Sequence, residues 1–186
     1  FVLLTGVTKF SQVSVFSGFN QPLDISMTEK FEALCGITEE ELHTQFAEPI
    51  RKMAESDGCT EEDIRQKLKR HYDGYHFSKN MADIYNPFSL LNAFYNNDVR
   101  DYWFASGTPS YLIRLMNHFH EGIDELTNKF YLPDEFINYK ADVEYPLPMI
   151  YQSGYLTIKD YDKESNLFLL DFPNNEVKSG FLAMVT

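Results

Sequence analysis

Thr38-Glu39-Glu40-Glu41-Leu42, continued by Phe46, Ile50 and Met53, and its counterpart Thr60-Glu61-Glu62-Asp63-Ile64, continued by Leu68, decide the fold class of this 186-residue chain. Each opens on a threonine whose hydroxyl can accept from the N–H three residues on, while the acid there reaches back to the threonine N–H. Apolar residues then recur at spacings of 4, 4 and 3 in the first stretch and 4 in the second, which places them on one helical face. The spacing predicts a helix over 38–55 and another over 60–70. Arg65, Lys67, Lys69 and Arg70 toward the end of the second match the helix dipole. With Asp57-Gly58 as the turn, the pair reads as a helical hairpin.

Beyond Tyr72 the composition shifts to aromatics and turn formers. Pro87 suits the first turn of a helix ending near Asn96-Asn97, with Phe88, Leu91 and Tyr95 facing inward. Thr108-Pro109 begins another, running to about His118. Residues 155–161 and 167–172 alternate about Asp162-Lys163-Glu164-Ser165-Asn166, a β-hairpin pattern. A helix over Leu147 to Gln152 before it and one from Asn174 after it give a helix, hairpin, helix order like a winged helix. The Tyr and Phe clusters read as core, because large rings with one polar tip fill seams between helices and a small sheet.

Toward the other end, Phe1-Val2-Leu3-Leu4 is a continuous apolar run closed by Thr5-Gly6, which suits a strand buried on both faces of a parallel sheet. Val7 to Pro22 supplies at most one more short strand, so the rest of that sheet is expected outside this stretch, in a longer polypeptide. Cut from its partners, such a strand is a sticky edge. We expect it to pair with Val13 to Phe16, with the stretch near Ile25, or with a second copy through self-association.

The chain carries 28 acidic and 16 basic side chains, a formal charge of −12. Between Asp24 and Asp63 stand 12 acids and 3 bases (Lys30, Arg51, Lys52), so that segment accounts for −9 of the total. It would be repelled by phosphate, which disfavours nucleic-acid binding through it. No apolar run approaches the ~18 residues needed to cross a bilayer, and no leader pattern opens the chain. Cys35 and Cys59 lack partners at zinc spacing and read as reduced thiols of a cytoplasmic protein.

Six motifs, in order, carry a family resemblance: Thr5-Gly-Val-Thr-Lys-Phe10 with Val15-Phe-Ser17, Tyr72-Asp-Gly-Tyr75, Tyr85-Asn-Pro-Phe88-Ser, Tyr102-Trp-Phe with Gly107-Thr-Pro, Gln152-Ser-Gly-Tyr155-Leu-Thr, and Asp171-Phe-Pro-Asn174. Together they resemble the predicted AAA-ATPase-like proteins abundant in gut Bacteroidetes and other anaerobes, over essentially the whole chain. The resemblance implies a mainly α fragment with small β elements: terminal strands of a truncated P-loop α/β core over 1–27, an acidic helical lid over 28–71, and an aromatic-rich winged-helix-like region over 72–186. It implies ATP and Mg in the parent protein, an upstream P-loop half and a downstream PD-(D/E)XK nuclease-like domain as partners in one polypeptide. It also places Thr5 where such ATPases carry a polar sensor facing the γ-phosphate, with Lys9 adding charge.

The string Gly-x-x-x-x-Gly-Lys-[Ser/Thr] that cradles phosphates does not occur here, nor a strand ending in paired acids for magnesium. By itself the chain is therefore expected neither to hold ATP tightly nor to hydrolyse it, and none of its own residues is expected to be catalytic. The leading reading is a lid and winged-helix element that couples nucleotide state to a neighbouring domain. A winged-helix nucleic-acid module is the first alternative, weakened by the net acidic turn 160–166. A protein-interaction module is the second, and it needs Leu42, Phe46 and Ile50 exposed. His71, Asp73 and His76 could ligate a metal, but Gly74 makes the stretch a turn rather than a rigid scaffold.

Overall fold

The computed structural model describes residues 6, 23–104, 122–138 and 145–185. They form a mixed α+β fold, mainly helical, with two small antiparallel sheets. Phe1 to Thr5, the 7–22 stretch and the helix expected from Thr108 lie outside the described residues, so the terminal-strand reading has no counterpart to compare.

The helical part begins with β1 (Ile37–Thr38), α1 (Glu39–Gln45), α2 (Ala47–Asp57) and α3 (Glu61–Tyr72). Both capping boxes form. Asp63 N donates to Thr60 Oγ1 at 3.1 Å while Thr60 N donates to Asp63 Oδ2 at 3.0 Å. Thr60→Ala is accordingly expected to lower stability by about 1 kcal/mol, read as a shift of the urea midpoint at constant slope. Gly58 closes α2 in the left-handed region at φ 65°.

The expected helix over 38–55 is two helices. The reason is Pro49: it has no N–H for the Gln45 carbonyl, and its ring crowds that group, so a continuous helix cannot pass. Phe46 leaves helical geometry at φ −116°, ψ 16°. Leu42 and Ile50 remain on the inner face and are fully buried.

β2 (Ile84–Tyr85) pairs antiparallel with β1, and α4 (Pro87–Asn96) follows, capped by the Asn86 side chain. The inward face of α4 is not the expected one. Phe88 and Leu91 are each 48% exposed and Tyr95 is 89% exposed, whereas Ser89, Leu90 and Ala93 are buried. Both triplets fit helical spacing; in the second, Leu90 and Ala93 pack into the helical core and the Ser89 hydroxyl donates to a buried carboxylate.

The second sheet has the order β3-β5-β4, from β3 (Lys129–Tyr131), β4 (Thr157–Asp162) and β5 (Leu167–Asp171). Two short helices, α5 (Pro133–Phe136) and α6 (Leu147–Gln152), lie between β3 and β4, and α7 (Asn175–Val185) follows β5. The hairpin and its flanking helices stand where the sequence reading expects them, over 147–152 before it and from 175 after it. β3 was not legible: three residues are too few to show a period.

Two hydrophobic cores result. One joins α1 to α4 around Ile50, Ile64, Leu68 and Tyr72; the other joins the three-stranded sheet, α6 and α7 around Ile150, Ile158, Leu170 and Phe181. β2 is the wall between them. Successive strand side chains point to opposite faces, so Ile84 enters the sheet core and Tyr85 the helical core. No described helix is long and apolar enough to cross a membrane.

Candidate functional site

The segment that leaves α3, Asp73-Gly74-Tyr75-His76, runs along the seam between the two cores and collects most of its polar contacts. Lys69, one turn before, stands 3.2 Å from Asp73 Oδ2 and 3.4 Å from both Glu39 Oε2 and Asp83 Oδ2. Tyr85 donates its hydroxyl to Glu39 Oε2 at 2.7 Å. Burial works against the Lys69 ammonium, but Asp73, Glu39 and Asp83 together hold its pKa above the ordinary lysine value. Burial would raise Asp83 and Glu39; the hydrogen bonds from His76 to Asp83 and from Tyr85 to Glu39, with Lys69, hold both below the ordinary carboxylate range. Asp73 goes the other way, because burial outweighs its bonds to Gly74 N and Lys69.

The same segment is stitched to the sheet. His76 N donates to Thr157 Oγ1 at 2.8 Å, and that hydroxyl donates to His76 O at 2.9 Å. The His76 ring spans from Ile158 O, 2.6 Å from Nδ1, to Asp83 Oδ1, 2.7 Å from Nε2. Lys159 is the extra residue of a β-bulge, since Ile158 pairs with Leu170 and Asp160 with Leu169. A bulge turns its side chain off the alternation. Lys159 Nζ reaches back to donate to Gly74 O at 3.0 Å and Pro173 O at 2.8 Å. Burial holds its pKa below the ordinary lysine value, against the pull of Asp83, Asp171 and Asp73. Asn174 Nδ2 donates to Asp73 O at 2.9 Å, tying the start of α7 to the end of α3.

A second polar joint gathers around α7. Glu176, fully buried, accepts on Oε1 from Ser89 Oγ at 2.9 Å, Tyr102 N at 2.7 Å and Trp103 N at 2.9 Å. Seen in the sequence, an acid in the first turn of a helix is the ordinary solvent-facing complement to the dipole, so nothing marks Glu176 as interior. Lys159 is equally hidden, because a bulge has no sequence pattern of its own here.

His71, Asp73 and His76 do not converge on one point. His71 Nε2 pairs with Asp101 at 2.7 Å, Asp73 with Lys69, and His76 with Asp83. No metal-binding group of three such side chains occurs among the described residues. Thr5 and Lys9 lie outside those residues. Gly6, which follows Thr5, lines a cleft of about 210 Å³ with Met27, Tyr75, Phe77, Tyr151 and Gly154. The cleft thus brings the end of the Thr5-Gly6 motif beside the Tyr72-Asp-Gly-Tyr75 and Gln152-Ser-Gly-Tyr155 motifs. Of its polar lining, His76 and Thr157 are bonded to each other and to the protein, Gln152 donates to Ile137 O, and Ser26 also lines it. The arrangement is therefore a joint, where residues 73–76, 157–159 and 173–174 meet through fixed polar contacts, rather than a set of free reactive groups.

No family model matches the chain, and no solved structure matches it. A protein of Azotobacter chroococcum mcd 1 with the description "Uncharacterized protein in vnfD 5'region" is 34% identical over 184 residues, 96% of this chain and 33% of that protein. The chain spans about a third of the length of this curated relative.

Proposed function

We propose that this chain is the lid and winged-helix part of an AAA-like ATPase, coupling nucleotide state to a neighbouring domain without catalysing the reaction alone. The observation that carries the reading is the connectivity of the second core. A strand, two short helices and a hairpin in the sheet order β3-β5-β4, as in winged-helix folds, are joined by fixed polar contacts to a helical pair. Such contacts transmit a displacement of α3 to the hairpin instead of absorbing it. The position of Gly6 at the shared cleft supports Thr5 as the residue through which nucleotide state reaches this joint. ATP and Mg would be held by an upstream P-loop half, because this chain has no glycine-rich Lys-Ser/Thr loop for the phosphates.

The alternatives draw less support. The helix before the hairpin, α6, has the sequence Leu147-Pro-Met-Ile-Tyr-Gln152, with no basic side chain and its first four residues buried. A groove-reading helix needs cations and exposure. The exposed hairpin turn carries Asp162, Lys163 and Glu164, which repels phosphate. The interaction reading needs an exposed apolar strip on the hairpin of helices; Leu42 and Ile50 are fully buried, and Phe46 is partly buried against the same core.

The test joins this chain to its upstream residues and compares ATP binding and turnover with and without Thr5→Ala. Loss of one preorganised donor facing the transferred phosphate should reduce turnover on the order of 100-fold. Binding and turnover both unchanged would remove Thr5 from the mechanism. A parent chain with no nucleotide affinity would remove the reading itself.

A further inference from the structure

Glu176 has two unequal oxygens. Oε1 accepts from Ser89, Tyr102 and Trp103, while Oε2 is equally buried and has no hydrogen-bond partner among the described residues. Protonated on Oε2, the group is neutral and Oε1 still accepts from its three donors. Ionised, it places part of a full charge on a buried oxygen that no donor among the described residues meets, which a protein interior tolerates poorly. Burial is the chief cause of a pKa above the ordinary glutamate value, against the hydrogen bonds from Trp103, Ser89 and Tyr102 and the field of His71. The titratable groups facing it are His71 and Tyr72 of α3, Tyr75 beyond them, and Asp101 through its pair with His71. From α4 it meets the Ser89 hydroxyl.

We propose that Glu176 is a proton-controlled latch: protonated, it holds Tyr102-Trp103 against α7 and α4, and on ionisation that segment lifts so that water reaches Oε2. The O–H bond is the only one broken, and its proton passes to solvent. The latch acts whatever the chain is joined to, so it stands apart from the nucleotide reading. The sign follows from the raised value. The closed state keeps its proton to a higher pH than an opened one, so closure is complete below the ordinary glutamate value of 4.5 and weakens as pH rises through the folded value.

Trp103 is the sole tryptophan and packs its ring 4.9 Å from Tyr155 and 5.3 Å from Phe104, so it reports the latch directly. The experiment measures acrylamide quenching of Trp103, and the opening constants of the Tyr102 and Trp103 amides from hydrogen exchange corrected for intrinsic rate, between about pH 5 and about pH 9. Opening is expected to rise with pH across this range, by a factor equal to the ratio of the open and closed acid constants of Glu176. The Ile64 and Leu68 amides in the helical core should stay unchanged. Glu176→Gln, which keeps the shape and the accepting oxygen, should flatten the profile. A flat profile in the unaltered protein overturns the latch. So does an unchanged profile in Glu176→Gln, which would assign the effect to His71, and so does an opening shared by the core amides. If the Gln variant does not fold, His71→Gln takes its place: a pH profile that persists without His71 keeps the latch, and one that disappears overturns it.

Discussion

Gly74→Ala is expected to lower folding stability by about 2 to 5 kcal/mol, a large part of the about 5 to 15 kcal/mol that a domain of this kind possesses. Two separate effects act at this residue. Gly74 has φ 90°, where a Cβ is strained against the backbone, and a Cβ there would overlap the Pro173 carbonyl oxygen while standing 3.0 Å from Lys159 Nζ. The residue cannot retreat, because Lys159 is bonded to both carbonyls and Asn174 to Asp73 O. Gly58 provides the comparison: its φ is 65°, but nothing lies within 4 Å of an added Cβ. Gly58→Ala should therefore cost about 1 to 2 kcal/mol, from conformation alone. Urea denaturation of the two variants gives both numbers. Equal losses would mean that the Gly74–Pro173 approach is not a rigid contact, and the seam would then not transmit motion as proposed.

The second large effect is at Phe181. This ring is fully buried at the centre of the sheet core, 5.3 Å from the Tyr155 ring and 5.7 Å from that of Phe172. Its removal forfeits the transfer free energy of the ring and leaves a cavity that three surrounding elements limit from closing. Phe181→Ala should lose about 3 to 5 kcal/mol. The neighbouring Leu182 is 37% exposed, and Leu182→Ala should stay within about 0.5 kcal/mol of the parent. A small loss at Phe181 would show that α7 is not packed on the sheet, and Glu176 on the same helix would lose its anchor.

The contrast between these positions marks where sequence reading reaches its limit. Capping boxes, the turn at Gly58, the hairpin about residues 162–166 and the helix before it are all local. Each depends on residues within a few positions, and each forms as the sequence predicts. Pro49 was also local, and it divides the first helix at Phe46. The strands β1 to β3 were not legible, because two or three residues display no period and exist only through partners far along the chain.

What the sequence by itself determined is thus the inventory: a helical pair, a hairpin with flanking helices and an acidic segment, in a sequence with no Gly-x-x-x-x-Gly-Lys-[Ser/Thr] string. Tertiary structure alone decided which faces are inside and which charges are paired. On α4 two triplets satisfy the same helical period, and the face with Ser89, Leu90 and Ala93 is the inner one because Leu90 and Ala93 pack into the helical core and Ser89 donates to the buried Glu176 carboxyl, 87 residues away. Lys159 becomes interior through a bulge, and Asp73 through the meeting of α3 with α7. Periodicity reports how side chains recur along one element. Burial and charge pairing are properties of two surfaces in contact, and they come into being only when the chain has folded.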